Sequence, residues 1–235
     1  MSTAVLWTGG KDSALALHLS TSFEVTELVT FVPPDAHFQA HHLGLMACQA
    51  RAVGLPHRQI VVEAPYDAGY ERALEGLRAS GIERVVTGDI AEVGGQPNFI
   101  AARAERVGMK VDLPLWGVDR HAHLRQIVEL GFDVMLTFVN EPWLDASWVG
   151  RHLDARALTE LSLLSHQNGL DLAGENGEYH SMVLAGPGWN ETLQVIGETH
   201  SAPPQHRLEI ASITAIAGTA PSSRPRPRRT LARPR

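Results

Sequence analysis

A single cysteine, Cys48, is all the thiol this chain has, which excludes an intrachain disulfide and any multi-cysteine metal centre. It falls in a helical pattern over residues 43–52, where a buried, inert thiol is the expectation. Lysine is nearly as scarce: Lys11 and Lys110 are the only two, and arginine supplies the rest of the basic charge. Long apolar runs are missing as well. Nothing approaches the ~20 residues that a membrane span needs. The N-terminus opens on a strand pattern, with neither a secretory signal nor a basic amphipathic presequence. These absences predict a cytoplasmic protein with no membrane partner. Acids, finally, are absent from the last fifteen residues, 221–235, which hold six arginines and four prolines. Such a segment cannot bury enough apolar surface to fold, so a disordered tail is expected over 218–235. Setting it aside leaves fourteen basic residues against twenty-six acidic ones, a net of −12. A body that acidic is poor electrostatic company for RNA phosphates, and nucleic acid is disfavoured as a partner.

What is present begins at residue 5. Residues 5–13 read VLWTGGKDS: an apolar strand, two glycines, a lysine, an acid and a hydroxyl, running into the apolar-periodic residues 14–19. A strand that stops at Gly9-Gly10 and restarts as a helix aims several backbone N–H groups, and the positive end of the helix dipole, at one spot. Lys11 adds a compact charge there and Ser13 a hydroxyl donor. That combination is a phosphate-binding loop. It is not the Walker A pattern, which has a longer glycine-bounded loop before its lysine. Asp12 beside a polyphosphate makes sense with a cation between them, or as a helix N-cap.

Short β-branched runs at 4–7, 24–31, 58–62 and 84–87 alternate with helical stretches at 13–20, 38–53 and 66–79. Alternation of this kind predicts the α/β class, an open parallel sheet flanked by helices. Both TGGKDS and the TGDI string at 87–90, with Gly88 and Asp89, follow strands. They therefore lie at carboxyl ends, where such sheets bind ligands. Further helices are expected at 97–107 and 120–130 and a strand at 134–139. A polar turn at 140–145 then divides a first unit, residues 1–140, from a smaller α+β substrate-side unit, residues 141–217, whose residues 194–216 alternate like strands.

Residues 173–187 read AGENGEYHSMVLAGP. Glu175 and Glu178 cannot both be dehydrated without partners, so a half-buried loop of this composition is costly unless it binds something. With it come VTGDI at 86–90, LPLWG at 113–117 and LDASWVGRHLD at 144–154.

TGGKDS resembles the SGGKDS loop of the PP-loop ATP pyrophosphatases, with Thr8 in place of the usual serine. All five strings together, in this order and over about residues 3–190, resemble the diphthine–ammonia ligase family. The resemblance implies a PP-loop, HUP-like fold and cleavage of ATP between the α- and β-phosphates, with Mg2+ as companion cation. A substrate carboxylate would be adenylated and ammonia would then displace AMP to give an amide. Family members in archaea and eukaryotes amidate diphthine on elongation factor 2. Bacterial relatives carry the same strings, and one group has been linked to cobalamin salvage. The expected partners are thus ammonia and a carboxylate, either protein-borne diphthine or a small-molecule acid such as a corrinoid-related one; a homodimer is left open.

The resemblance also assigns residues. Thr8, Gly9, Gly10, Lys11, Asp12, Ser13, Gly88 and Asp89 are candidates for the nucleotide, and Asp12 for the metal. Lys11, Asp12, Glu175, Glu178 and His180 are candidates for catalysis, with Asn176 in the same motif. Whether a glutamate or His180 handles ammonia stays open.

Other features say less. His37, His41 and His42 read better as a surface turn entering a helix than as a metal site, since no acid or thiol string accompanies them. Trp116, Trp143 and Trp148 suit either a base stack or the core, and Arg151 either a ligand anion or an acidic neighbour. A tRNA-modifying PP-loop enzyme conflicts with the acidic body and the missing cysteines. A pure nucleotide sensor needs no second acidic loop.

Overall fold

The computed structural model describes residues 2–35, 42–92 and 98–217. His37, His41 and the expected tail lie outside these residues.

Five parallel strands form the first sheet: β1 (Ser2–Leu6), β2 (Glu24–Val32), β3 (His57–Val61), β4 (Ile82–Val86) and β5 (Lys110–Asp112), in the order β3-β2-β1-β4-β5. Strand β1 shows why both faces are covered. Ala4 and Leu6 enter one apolar cluster, while Val5 and the following Trp7 enter another. A strand buried on both sides reads as a continuous apolar run, as this one does. The connecting helices are α1 (Lys11–Leu19), α2 (Leu43–Val53), α3 (Tyr66–Ala79) and α4 (Phe99–Arg106). Helix α2 is described from Leu43, and residues 38–41 of the expected helix lie outside the described residues. His42 is its N-cap, Nδ1 accepting from the Leu45 amide at 3.0 Å, and Gly54 closes its other end in the left-handed region (φ 84°).

A second, antiparallel sheet has the order β7-β6-β9-β8, built from β6 (Asp133–Asn140), β7 (Tyr179–Ala185), β8 (Glu191–Ala202) and β9 (Gln205–Ala217). Strand β6 falls within residues 1–140, yet it pairs with β7 and β9. Two helices accompany this sheet, α5 (Arg120–Glu129) and α6 (Ala155–Asn168). Asp119 caps the first and Asp154 the second, accepting from Ala122 and Ala157 amides at 2.8 and 2.7 Å. Among the described residues no helix is long and apolar enough to cross a membrane.

The two sheets meet at the phosphate loop. The Val183 amide of β7 donates to the Gly9 carbonyl at 2.9 Å, and the Lys11 amide donates to Ser181 Oγ at 3.3 Å. Leu15 and Leu45 from the first half share one apolar cluster with Met182, Val183 and Leu193 from the second. Packing, rather than a linker, sets the relation between the halves.

Candidate active site

The strand order reverses direction of growth between β1 and β4. The crevice outside their carboxyl ends is the topological switch point, where open α/β sheets take ligands. A cavity of about 450 Å³ lies there. Thr8, Gly10, Lys11, Asp12 and Ser13 line it from the β1–α1 turn and the start of α1, Gly88 and Asp89 from the turn after β4, Glu175 from the acidic loop before β7, and His180 from β7 itself. The three motifs thus share one crevice although up to 170 positions separate their contacts in the chain.

Gly9 adopts φ +73°, and a Cβ there would overlap the Gln49 side chain, so only glycine makes this turn. Gly88 is fixed by close approach instead: an added Cβ would sit 2.7 Å from the Asp12 carbonyl carbon and 2.8 Å from the Ser13 nitrogen. The TGDI turn therefore rests directly on the first turn of α1. Thr8 donates to Ser13 Oγ (3.2 Å), and Ser13 donates to the Gly10 carbonyl (3.0 Å).

Lys11 is 4% exposed, with Nζ 2.9 Å from Asp12 Oδ2, donating as well to the Ala173 carbonyl of the acidic loop. The ring of Tyr179 lies 5.2 Å from the same nitrogen. Burial works against the charge on Lys11. The Asp12 carboxylate, helped by Tyr179 and Glu175, outweighs it and holds the ammonium above the ordinary lysine range. Burial likewise opposes ionisation of Asp12, but Lys11 and the hydrogen bond from His123 overcome it and keep that carboxyl below its usual range. Asp12 is not the helix cap. Gly10 holds that position, and the Asp12 side chain turns to Lys11 and His123.

Glu175 behaves in the opposite sense. Burial first, and then the negative charge of Asp12, push its carboxyl up to about 7, against the pull of Lys11 and Arg120. A carboxyl at that value can gain and lose a proton near neutral pH. Asp89 is held by Asn98, whose Nδ2 donates to Oδ2 at 2.5 Å while its Oδ1 caps α4.

Glu178, a catalytic candidate from the sequence, is placed elsewhere. It is 1% exposed and does not line the crevice. Its Oε1 accepts from the Asp171 amide and Asn176 Nδ2, and its Oε2 from the Asn176 amide at 2.9 Å. Those bonds tie the ends of the acidic loop together. His180 lines the crevice, its ring 5.3 Å from that of Phe138.

Several site residues carried no sequence signal. Thr30, Phe31, Tyr70 and Ile100 form a largely apolar wall on one side of the crevice. His123, fully buried on α5, reaches Asp12 Oδ1 with Nε2 at 2.6 Å. The side features also find their places. Arg151 pairs with Glu160 at 2.8 Å and lies over the buried Trp148, 3.7 Å from its ring centre. Trp143 packs on the core, Trp116 is partly exposed, and half-buried Cys48 accepts a hydrogen bond from Arg51.

Among the described residues no three His, Cys, Asp or Glu side chains gather into a metal-binding group. Mg2+ needs no such cage, since it takes most ligands from phosphates and water plus one or two carboxylates. Asp12 and Asp89, both facing the crevice, fit that demand.

A phosphate loop at the switch point of an open parallel sheet, closed by an acidic loop from a second sheet, places the protein among nucleotide-using α/β enzymes. The N-terminal domain of diphthamide synthase matches residues 1–111, and the C-terminal domain of diphthamide synthase matches residues 119–208. The chain belongs to this family and is a PP-loop, ATP-utilising enzyme of the diphthine–ammonia ligase type. No curated protein matches it. Among solved structures, "predicted subunit of tRNA methyltransferase" from Methanocaldococcus jannaschii is similar over 79% of this chain and 97% of that one, at 17% identity and a TM-score of 0.45.

Proposed function

We propose that the protein is an ATP-dependent amide ligase that makes AMP and pyrophosphate. An acceptor carboxylate oxygen attacks the α-phosphorus, and the bond from that phosphorus to the bridging oxygen of pyrophosphate breaks. Ammonia then attacks the acyl carbon, the bond to the adenylate oxygen breaks, and AMP leaves. Activation is required because a carboxylate at neutral pH resists nucleophiles.

The observation that carries this reading is the placement of Glu175 in the same crevice as Lys11 and Asp12. Both steps occur at one acceptor, so the reacting atoms must come within roughly 3–3.5 Å of each other. Lys11, Ser13 and the amides at the start of α1 supply positive potential where charge builds on the leaving pyrophosphate. Asp12 and Asp89 would hold Mg2+, which when bound with ATP offsets phosphate charge. Glu175 takes the proton that attacking ammonia must lose, a task suited to a carboxyl near 7. The acceptor is a carboxylate, either diphthine on a protein or a small acid.

Incubating the protein with Mg-ATP, ammonium and either diphthine-bearing elongation factor or a panel of small acids tests the proposal. AMP and an amide, both dependent on ammonium, are expected. Formation of ADP, or binding of ATP without turnover in any arm, would sink it.

A further inference from the structure

One buried group at the site has no role in the chemistry just described. His123 comes from α5, in the half of the chain that matches the C-terminal domain, yet its partner is in the phosphate loop. The imidazole is fully buried and its Nδ1 has no hydrogen-bond partner among the described residues. Leaving that nitrogen unpaired carries a desolvation penalty which an apolar side chain of similar size would avoid. The compensation lies at Nε2, 2.6 Å from Asp12 Oδ1.

We propose that His123 is a positioning residue for ATP activation: its Nε2–H holds Asp12 Oδ1, so that only Oδ2 engages Lys11 and the rest of the carboxylate faces the crevice. The inference rests on the reading of this crevice as the ATP site. Two consequences follow if the bond is removed. Asp12 turns both oxygens to the Lys11 ammonium, already 2.9 Å away, and Lys11 is drawn from the phosphates. The carboxylate edge presented to a phosphate-bound cation is lost in the same movement. Outer partners of this kind influence affinity or rate by about 10–100-fold.

The comparison of His123→Leu with His123→Gln tests this, because leucine keeps much of the volume without a donor and glutamine restores an N–H. With full-length protein, pyrophosphate release is expected to fall about 10–100-fold in kcat for His123→Leu, with KM for ATP changed by less than about 3-fold. His123→Gln should regain most of the loss. Equal rates for wild type and His123→Leu, or equal losses in both variants, would overturn the assignment. Should wild type turn over no ATP, the ligase reading falls and the role in activation falls with it, and the His123–Asp12 contact is then tested by ¹⁵N NMR of the wild-type imidazole. If His123→Leu does not fold, ¹⁵N NMR of the wild-type imidazole decides: a proton on Nε2 is expected, and a proton on Nδ1 alone would end the proposal.

Discussion

Lys11 keeps its charge where burial alone would remove it, because Asp12 lies at 2.9 Å. Lys11→Met retains the buried stem and deletes only the ammonium. It is expected to lower ATP turnover by about 10²–10³-fold, the scale for losing one preorganised charge-stabilising donor. A folded Met variant with wild-type turnover would remove Lys11 from the phosphate assignment. Glu175 gives the pH dependence. As a base it must be ionised, so amide formation at saturating ATP and constant free ammonia should rise through about pH 7 and level off above it. In Glu175→Gln the rise should vanish and the rate drop. Stability runs the other way. A carboxyl whose folded pKa is raised favours the fold while protonated, below its unfolded value, and that contribution is lost as pH climbs through about 7. Glu175→Gln should therefore raise the melting temperature at pH 8 and leave it nearly unchanged at pH 4. The sequence exposed both glutamates but not their division of labour. Glu175 and Glu178 are three positions apart in one loop, and only the fold turns one outward to the crevice and the other into its own backbone.

The elements that frame the crevice were the most legible part of the chain. Helix α3 occupies Tyr66–Ala79 as its apolar spacing indicates, and β1, β2 and β4 end where their glycine or polar turns begin. Strand β5 was missed because Lys110–Asp112 is too short to show a period. The α6 helix did carry a signal, an Asp154 cap, apolar Leu158 and Leu161, and Gly169 at its end, diluted by polar residues between. The contact between the TGDI turn and α1 had none, since a glycine string does not say what it touches. Gly88→Ala examines that contact. With backbone atoms 2.7–2.8 Å from the new methyl, the turn must lift away from Asp12. The expected result is a loss of about 1–3 kcal/mol in unfolding free energy and weaker ATP binding. Calorimetry showing full affinity and unchanged stability would mean the two loops move independently.

At the scale of the molecule, Gln49 joins the halves. It lies fully buried on α2, and its Nε2 donates to the Gly9 carbonyl at 2.8 Å and the Val183 carbonyl at 2.7 Å. Its Oε1 accepts from Trp7 Nε1 at 3.3 Å. One carboxamide thereby satisfies groups on the phosphate loop, on β7 and on a tryptophan in the shared core. A buried glutamine 40 positions from Gly9 and 134 from Val183 announces none of this in the sequence, where it reads as a polar interruption of a helix. With a continuous apolar cluster and these bonds linking the sheets, the described body should unfold as one unit. Tryptophan fluorescence and far-ultraviolet circular dichroism are expected to report a single coincident transition. Gln49→Met keeps the volume but takes the Gln49 bond from the Val183 carbonyl and the Trp7 N–H and leaves the Gly9 carbonyl with the Val183 amide alone, at a cost of about 2–4 kcal/mol. The same variant should weaken Mg-ATP binding, because the Gly9 carbonyl keeps only the Val183 amide of its two donors just as the loop must hold its N–H groups towards phosphate. Two separated transitions in wild type would show that the halves are not a single cooperative body. A Gln49→Met protein as stable as wild type and with full ATP affinity would show that the Val183 amide and the loop's own glycines hold the phosphate loop without Gln49.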